Sequence, residues 1–129
     1  MRSVMLLLRV FDSDDKPLKM INGSRLPEWA GVGKVEDGNY AGLPCSVFAK
    51  VLHDKEGNLN VPFWKATRIA SDTRIRPKNT RTLTFEFAMD DPEDEPTAEA
   101  ELIYRPVIIP LAKKKNWPVK DISITSSVW

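Results

Sequence analysis

Residues 80–105 hold two runs of apolar–polar alternation with an acidic loop between them, and this limits the chain to a mainly β fold. In "TRTLTFEFAM" (80–89), Leu83, Phe85 and Phe87 share one face while Thr82, Thr84 and Glu86 share the other. In "TAEAELIYR" (97–105), Ala98, Ala100, Leu102 and Tyr104 alternate with Thr97, Glu99 and Glu101. A period of two is that of a half-buried strand, because successive side chains leave opposite faces of a pleated chain. The short loop between the runs predicts that they pair antiparallel, with Leu102 and Tyr104 facing inward.

The rest of the chain fits that frame. "VMLLLRVF" (4–11) is apolar on both faces, as for a strand covered on both sides. "DSDDKP" (12–17) is dense in turn residues, and "LKMI" (18–21) is expected to return as its hairpin partner. Residues 22–44 hold five of the six glycines and predict a long irregular loop pinned by Trp29 and Tyr40. "SVFAKVLHD" (46–54) predicts a strand, "DKEGN" (54–58) a hairpin turn, and "LNVPFW" (59–64) a return interrupted by Pro62. "KATRIAS" (65–71) is expected to be extended and "DISITSSVW" (121–129) to end in a strand. At most one short helix is expected, from Leu111 between Pro110 and Pro118. Many short strands and ten prolines point to one domain over residues 1–129, an antiparallel β-sandwich of Ig-like or Greek-key type.

Composition excludes several classes of chemistry. Cys45 is the only cysteine, so an intrachain disulfide, a CxxC pair and a CxxCH haem attachment are all ruled out. His53 is the only histidine, which removes any site needing two imidazoles from one chain. Net charge is +1, giving no overall case for nucleic acid or an anionic membrane. The charges are segregated, however: residues 65–81 carry six bases against Asp72, and "DDPEDE" (90–95) is wholly acidic apart from its proline. The apolar run Val4 to Leu8 is too short for a secretory h-region and lacks a small-residue cleavage site. No segment reaches the ~18–20 apolar residues of a membrane-spanning helix.

Each candidate residue has a functional and a plainer role. Arg74 and Arg76 straddle Ile75 and fall on one face of an extended chain, with Asp72 on the same face beside Arg74. No helix N-terminus or aromatic interleaving accompanies them, so a solvated strand entry with an Asp72–Arg74 pair is expected, not an anion site. His53 is the candidate metal or axial haem ligand; a solvated turn histidine is the commoner outcome beside "DKEG". Cys45 is expected to be a small buried hydrophobe. Asp12, Asp14 and Asp15 lack the Gly and Glu spacing of an EF-hand. Trp29, Trp64, Trp117 and Trp129 suit either core packing or a sugar-stacking platform. No catalytic set and no resident metal is expected, and the chain is read as a non-enzyme.

"RLPEWAG" (25–31), "GNYAGLPCSVFAKVL" (38–52), "PFWKATRIASDTRI" (62–75) and "LIYRP" (102–106) together resemble the haem-free C-terminal β-domain of certain multihaem c-type cytochromes of the hydroxylamine-oxidoreductase and tetrahaem-cytochrome kind. The resemblance runs from about Val4 to Ile124 and departs at Cys45, where the pattern has Gly. It implies a non-catalytic scaffold or interaction domain associated with a multihaem cytochrome domain or subunit. Such a domain holds no covalent haem of its own; haem c belongs to the partner or to an N-terminal part preceding Met1. On that reading the chain is either a freestanding accessory domain or, the favoured alternative, the C-terminal fragment of a longer, exported cytochrome, and in that case extracytoplasmic, periplasmic or at the cell surface. Trp29, Tyr40, Trp64, Asp72, Arg74, Tyr104 and Arg105 are the structural or interaction residues, with Asp72 expected to fix the 22–44 loop against the sheet. The alternative is a carbohydrate- or surface-binding β-sandwich module.

Overall fold

The computed structural model describes residues 2–129. The doubly apolar run near the N-terminus becomes β1 (Ser3–Phe11), the central strand of a five-stranded antiparallel sheet. It is flanked by β3 (Cys45–His53) on one side and β6 (Thr97–Arg105) on the other. β4 (Arg68–Asp72) and β7 (Ile122–Val128) form the edges, giving the order β4-β3-β1-β6-β7. A second, two-stranded sheet joins β2 (Met20–Asn22) to β5 (Glu86–Phe87). With one short helix, α1 (Ile109–Lys115), the chain is mainly β and sandwich-like, as its alternation predicts.

One face of the large sheet carries the core. Met5, Leu7, Cys45 and Ile103 project from it and pack against Leu26 and Ala30, with Tyr40 and Leu43 closing over them. Residues 22–44 are therefore a covering layer, not a spare loop. Two 3₁₀ turns, Glu28–Ala30 and Val35–Asp37, give it local structure. Gly31, at φ +100°, lets this layer approach the helix: a Cβ there would collide with the Ile109 side chain and with Asn39. The other face bears Val4, Phe48, Leu102 and Tyr104, half-buried around a groove of about 380 Å³ that also meets Ile75.

Three expectations are corrected. Residues 80–89 do not pair with 97–105, because both sides of β6 are already taken, by β1 and β7. The 80–89 segment keeps its period, with Leu83, Phe85 and Phe87 turned inward and Thr82, Thr84 and Glu86 exposed. Only Glu86–Phe87 forms a ladder, and its partner is β2. The second correction concerns β6. Its fully buried positions are Ile103 and Arg105, while Leu102 and Tyr104 lie on the less covered face. Hydropathy misleads there because a buried arginine reads as polar. The third concerns residues 18–21: the chain closes back on β1 through Pro17 opposite Phe11 and the Leu18 N–H to Val10 C=O at 2.8 Å, but the following β2 leaves to join β5.

Candidate functional site

The aromatic and basic side chains converge at the end of the sheet where β6 passes into α1. Two local structures put them there. In residues 62–66, the Lys65 N–H donates to Pro62 C=O at 2.9 Å and the Ala66 N–H to Phe63 C=O at 3.3 Å. This turn places Phe63 and Trp64 at its crest, in an edge-to-face pair with centroids 5.1 Å apart and an 85° interplanar angle. The second is the end of α1. Pro110 suits its first turn, where a missing N–H costs nothing, and Asn116 closes it in the left-handed region at φ 54°. The Trp117 N–H then donates to Ala112 C=O at 2.9 Å, which throws the indole off the helix.

The result is an exposed apolar cluster: Phe63 at 78%, Trp64 at 61% and Trp117 at 51% of full exposure. Large aromatics left this open are unusual on a surface that binds nothing. Trp64 and Leu111 form the wall between two adjoining grooves, of about 480 and 320 Å³. Trp29, half-buried, lines the larger groove with Lys65, Lys114 and Lys115, and Trp117 lines the smaller. Lys113, Lys114 and Lys115 occupy the last turn of α1, where cations also favour the helix dipole.

The opposite end of the sheet is acidic. Phe11 pairs with Thr97, so the turn after β1 and the loop before β6 meet there. The Ser13 N–H donates to Asp94 Oδ2 at 3.3 Å, and hydrogen bonding holds the Asp94 carboxyl below its usual range. Asp12, Asp14 and Asp15 thus join the acids of residues 90–95. Nine residues of β6 separate the two ends, about 30 Å at the usual strand rise. A chain with a net charge of +1 is accordingly dipolar.

The other predicted residues fall into separate places. Arg105 is fully buried and makes four hydrogen bonds to three groups. Its Nε donates to Asp121 Oδ1 at 2.8 Å and its Nη2 to Asp121 Oδ2 at 2.7 Å. Nη1 donates to Ala30 C=O at 2.9 Å and Nη2 to Gly38 C=O at 2.7 Å. The Tyr40 ring lies 5.2 Å beneath the guanidinium carbon. Burial pushes the Tyr40 phenol up, with Asp121 adding to the effect and Arg105 opposing it.

Asp72 and Arg74 do pair, as expected, with Nη2 to Oδ2 at 2.6 Å and Nε to Oδ1 at 2.8 Å. They sit on exposed edge backbone, where Asp72 also accepts from the Arg74 N–H at 3.2 Å. The assigned task of fixing the 22–44 loop belongs to Arg105 instead. Arg74 and Arg76 line a groove of about 460 Å³ together with Asp72, Ile75 and Pro77.

His53 ends β3, its Nδ1 2.9 Å from Asp54 C=O. Asp54 itself is committed to its own turn, accepting from Glu56 N–H, Asn58 N–H and Asn58 Nδ2. Among the described residues, no group of three or more His, Cys, Asp or Glu side chains is placed to hold a metal ion. Cys45 stands at the other end of β3 from His53, buried, its thiol donating to Leu6 C=O. Burial pushes that thiol up to about 12. Among the described residues, no helix is long and apolar enough to cross a membrane.

Phe63 and Trp117 entered the sequence reading only as part of a motif and as one tryptophan of four. The signals that single them out are the turn proline before Phe63 and the lysine run closed by Asn116 before Trp117. Compared with known families, curated proteins and solved structures, the chain matches no family model, no curated protein and no solved structure.

Proposed function

We infer that this chain is a non-catalytic interaction domain that docks through its aromatic, lysine-rich end. The observation that carries the reading is the exposed Phe63–Trp64–Trp117 cluster, bordered by Lys65, Lys114 and Lys115 and set opposite an acidic end. Aromatic anchors within a polar rim are what a docking surface needs, and a charge dipole orients the domain during approach. The partner this suits has an acidic rim around an apolar patch. The sequence resemblance favours a multihaem c-type cytochrome domain or subunit, whose haem propionates supply such acidity. In that setting the chain holds no haem covalently, works outside the cytoplasm and supports electron transfer as a structural element.

The test follows tryptophan emission while the purified chain is titrated with the multihaem c-type cytochrome encoded beside or upstream of it. Bound haem quenches a nearby indole by energy transfer. Saturable quenching that weakens with salt, and is lost in Trp64→Ala with Trp117→Ala, is the expected result. No saturable quenching at low salt would sink the reading.

A carbohydrate- or surface-binding module is the second reading, favoured by Trp64 standing beside the polar Asn58 and Asn60 in the larger groove. Against it, Phe63 and Trp64 stand edge to face and offer no flat row for a sugar chain. Soluble glycans that quench the same emission would turn the choice to this reading.

A further inference from the structure

The two edges of the five-stranded sheet are built differently. β4 has five residues, carries Arg68 and Asp72, and meets β3 through an irregular register between Val51 and Leu52. Short length, charge and irregularity are the usual protections of a free edge. β7 runs seven residues, "ISITSSV", with no charge and no proline, every one of them exposed. Its only strand neighbour among the described residues is β6. Ile122, Val128 and Trp129 are all open to solvent along this edge.

We propose that β7 pairs antiparallel with β7 of a second copy of this chain, joining two five-stranded sheets into one. The strand is complementary to itself. Against β6, Thr125 stands opposite Leu102, Ser123 opposite Ile103 and Ile122 opposite Tyr104, which leaves Ile124 as a bulge. A register centred on Thr125 that keeps the same bulge sets Ser126 opposite Ser123 and Ser127 opposite Ile122 of the second copy. Each residue then meets one on the same face of the joined sheet, and no like charges are opposed. Hydroxyl-bearing pairs of this kind add to an antiparallel ladder. The same register brings Lys120 of the second copy opposite Trp129, a cation–π pairing repeated at both ends of the shared ladder. The charged β4 edge makes the competing β4–β7 pairing, which would propagate into fibres, the poorer one.

One edge ladder buries less than the ~1,200–2,000 Å² of a stable interface, so the dimer is weak, forming at about 10–100 µM protein. The test combines sedimentation across that range with amide hydrogen exchange. The expected result is a monomer–dimer equilibrium in which exchange of residues 122–128 slows with concentration and that of 68–72 does not. Thr125→Lys places two cations face to face at the axis and weakens the dimer roughly tenfold or more; thermal unfolding verifies that the variant folds. Its partner variant Ser71→Lys, on the other edge, leaves the dimer unchanged. A monomer throughout overturns the proposal. So does a dimer broken by Trp64→Ala but not by Thr125→Lys, which would place the contact at the aromatic end.

Discussion

Arg105 and Asp121 form a two-pronged ion pair, Nε–Oδ1 at 2.8 Å and Nη2–Oδ2 at 2.7 Å, at the point where β6 ends and the segment before β7 begins. The same guanidinium takes the carbonyls of Ala30 and Gly38, so one side chain ties the covering layer to the sheet and the sheet to its last strand. Among the described residues, no other charged group joins so many segments.

Lysine cannot replace that geometry, since an ammonium lacks the planar fork that serves Asp121 and two carbonyls together. Arg105→Lys is expected to cost about 3 kcal/mol, the scale for spoiling a buried pair, with Asp121→Ala at or above that figure because it leaves the fully buried guanidinium without a counter-charge. Urea unfolding gives the loss. Hydrogen exchange locates it: amides of residues 30–41 should open first. Equal destabilisation with unchanged exchange there would deny Arg105 the role of fastening the loop.

The strand content was legible because apolar periodicity survives in almost every strand, including residues 80–89, whose inward and outward faces are as the sequence predicts. Pairing was not legible, because it depends on which edges other strands have already filled; β7 and β1 occupy β6 and leave 80–89 without it. Arg105 shows a different limit. Its burial is stabilised by Asp121, sixteen positions on, and by carbonyls some seventy positions back, and no local pattern carries that information. The Asp72–Arg74 pair was readable for the opposite reason, being two residues apart in an extended chain.

That pair gives the chain a pH dependence. Hydrogen bonding from Arg74 holds the Asp72 carboxyl down at about 2, against an ordinary 3.8. A carboxylate with a depressed folded value stabilises the fold above its unfolded value and loses that stabilisation as pH falls through the folded one. The contribution is therefore complete above about pH 4 and fades toward pH 2. Since Arg74 is 59% and Asp72 37% exposed, the effect is small and salt-sensitive. Asp72→Asn should lower thermal stability slightly at pH 7 and converge with the unsubstituted protein toward pH 2, flattening the acid limb between those values. An acid limb identical in both proteins would show that Asp72 contributes nothing through this pair.

Cys45 should be chemically silent in the folded chain. Its thiol is buried in the core, donates to Leu6 C=O, and is pushed up to about 12, so almost no thiolate exists at pH 8. A thiol-specific disulfide reagent should react only after denaturant is added, and then with one equivalent. Prompt reaction of the native protein would mean that β3 opens readily at Cys45. Cys45→Gly should cost roughly 1–2 kcal/mol for the vacated volume and the freer backbone.

The aromatic end makes the sharpest prediction, because binding and stability should separate there. Trp64 and Trp117 leave half or more of their surface exposed, so Trp64→Ala and Trp117→Ala should each shift unfolding by about 1–2 kcal/mol, well short of the cost at a fully buried tryptophan. If the same side chains anchor a partner, each truncation should weaken association about thirtyfold or more, the usual scale for an aromatic hot spot. Lys114→Glu and Lys115→Glu, on the rim of the same groove, should act differently, slowing association and reducing its salt dependence. Measured together by titration and stopped flow, these variants distinguish an anchored interface from an adventitious one. Truncations that unfold the chain, or that leave both affinity and stability intact, would remove the aromatic cluster from any role in docking.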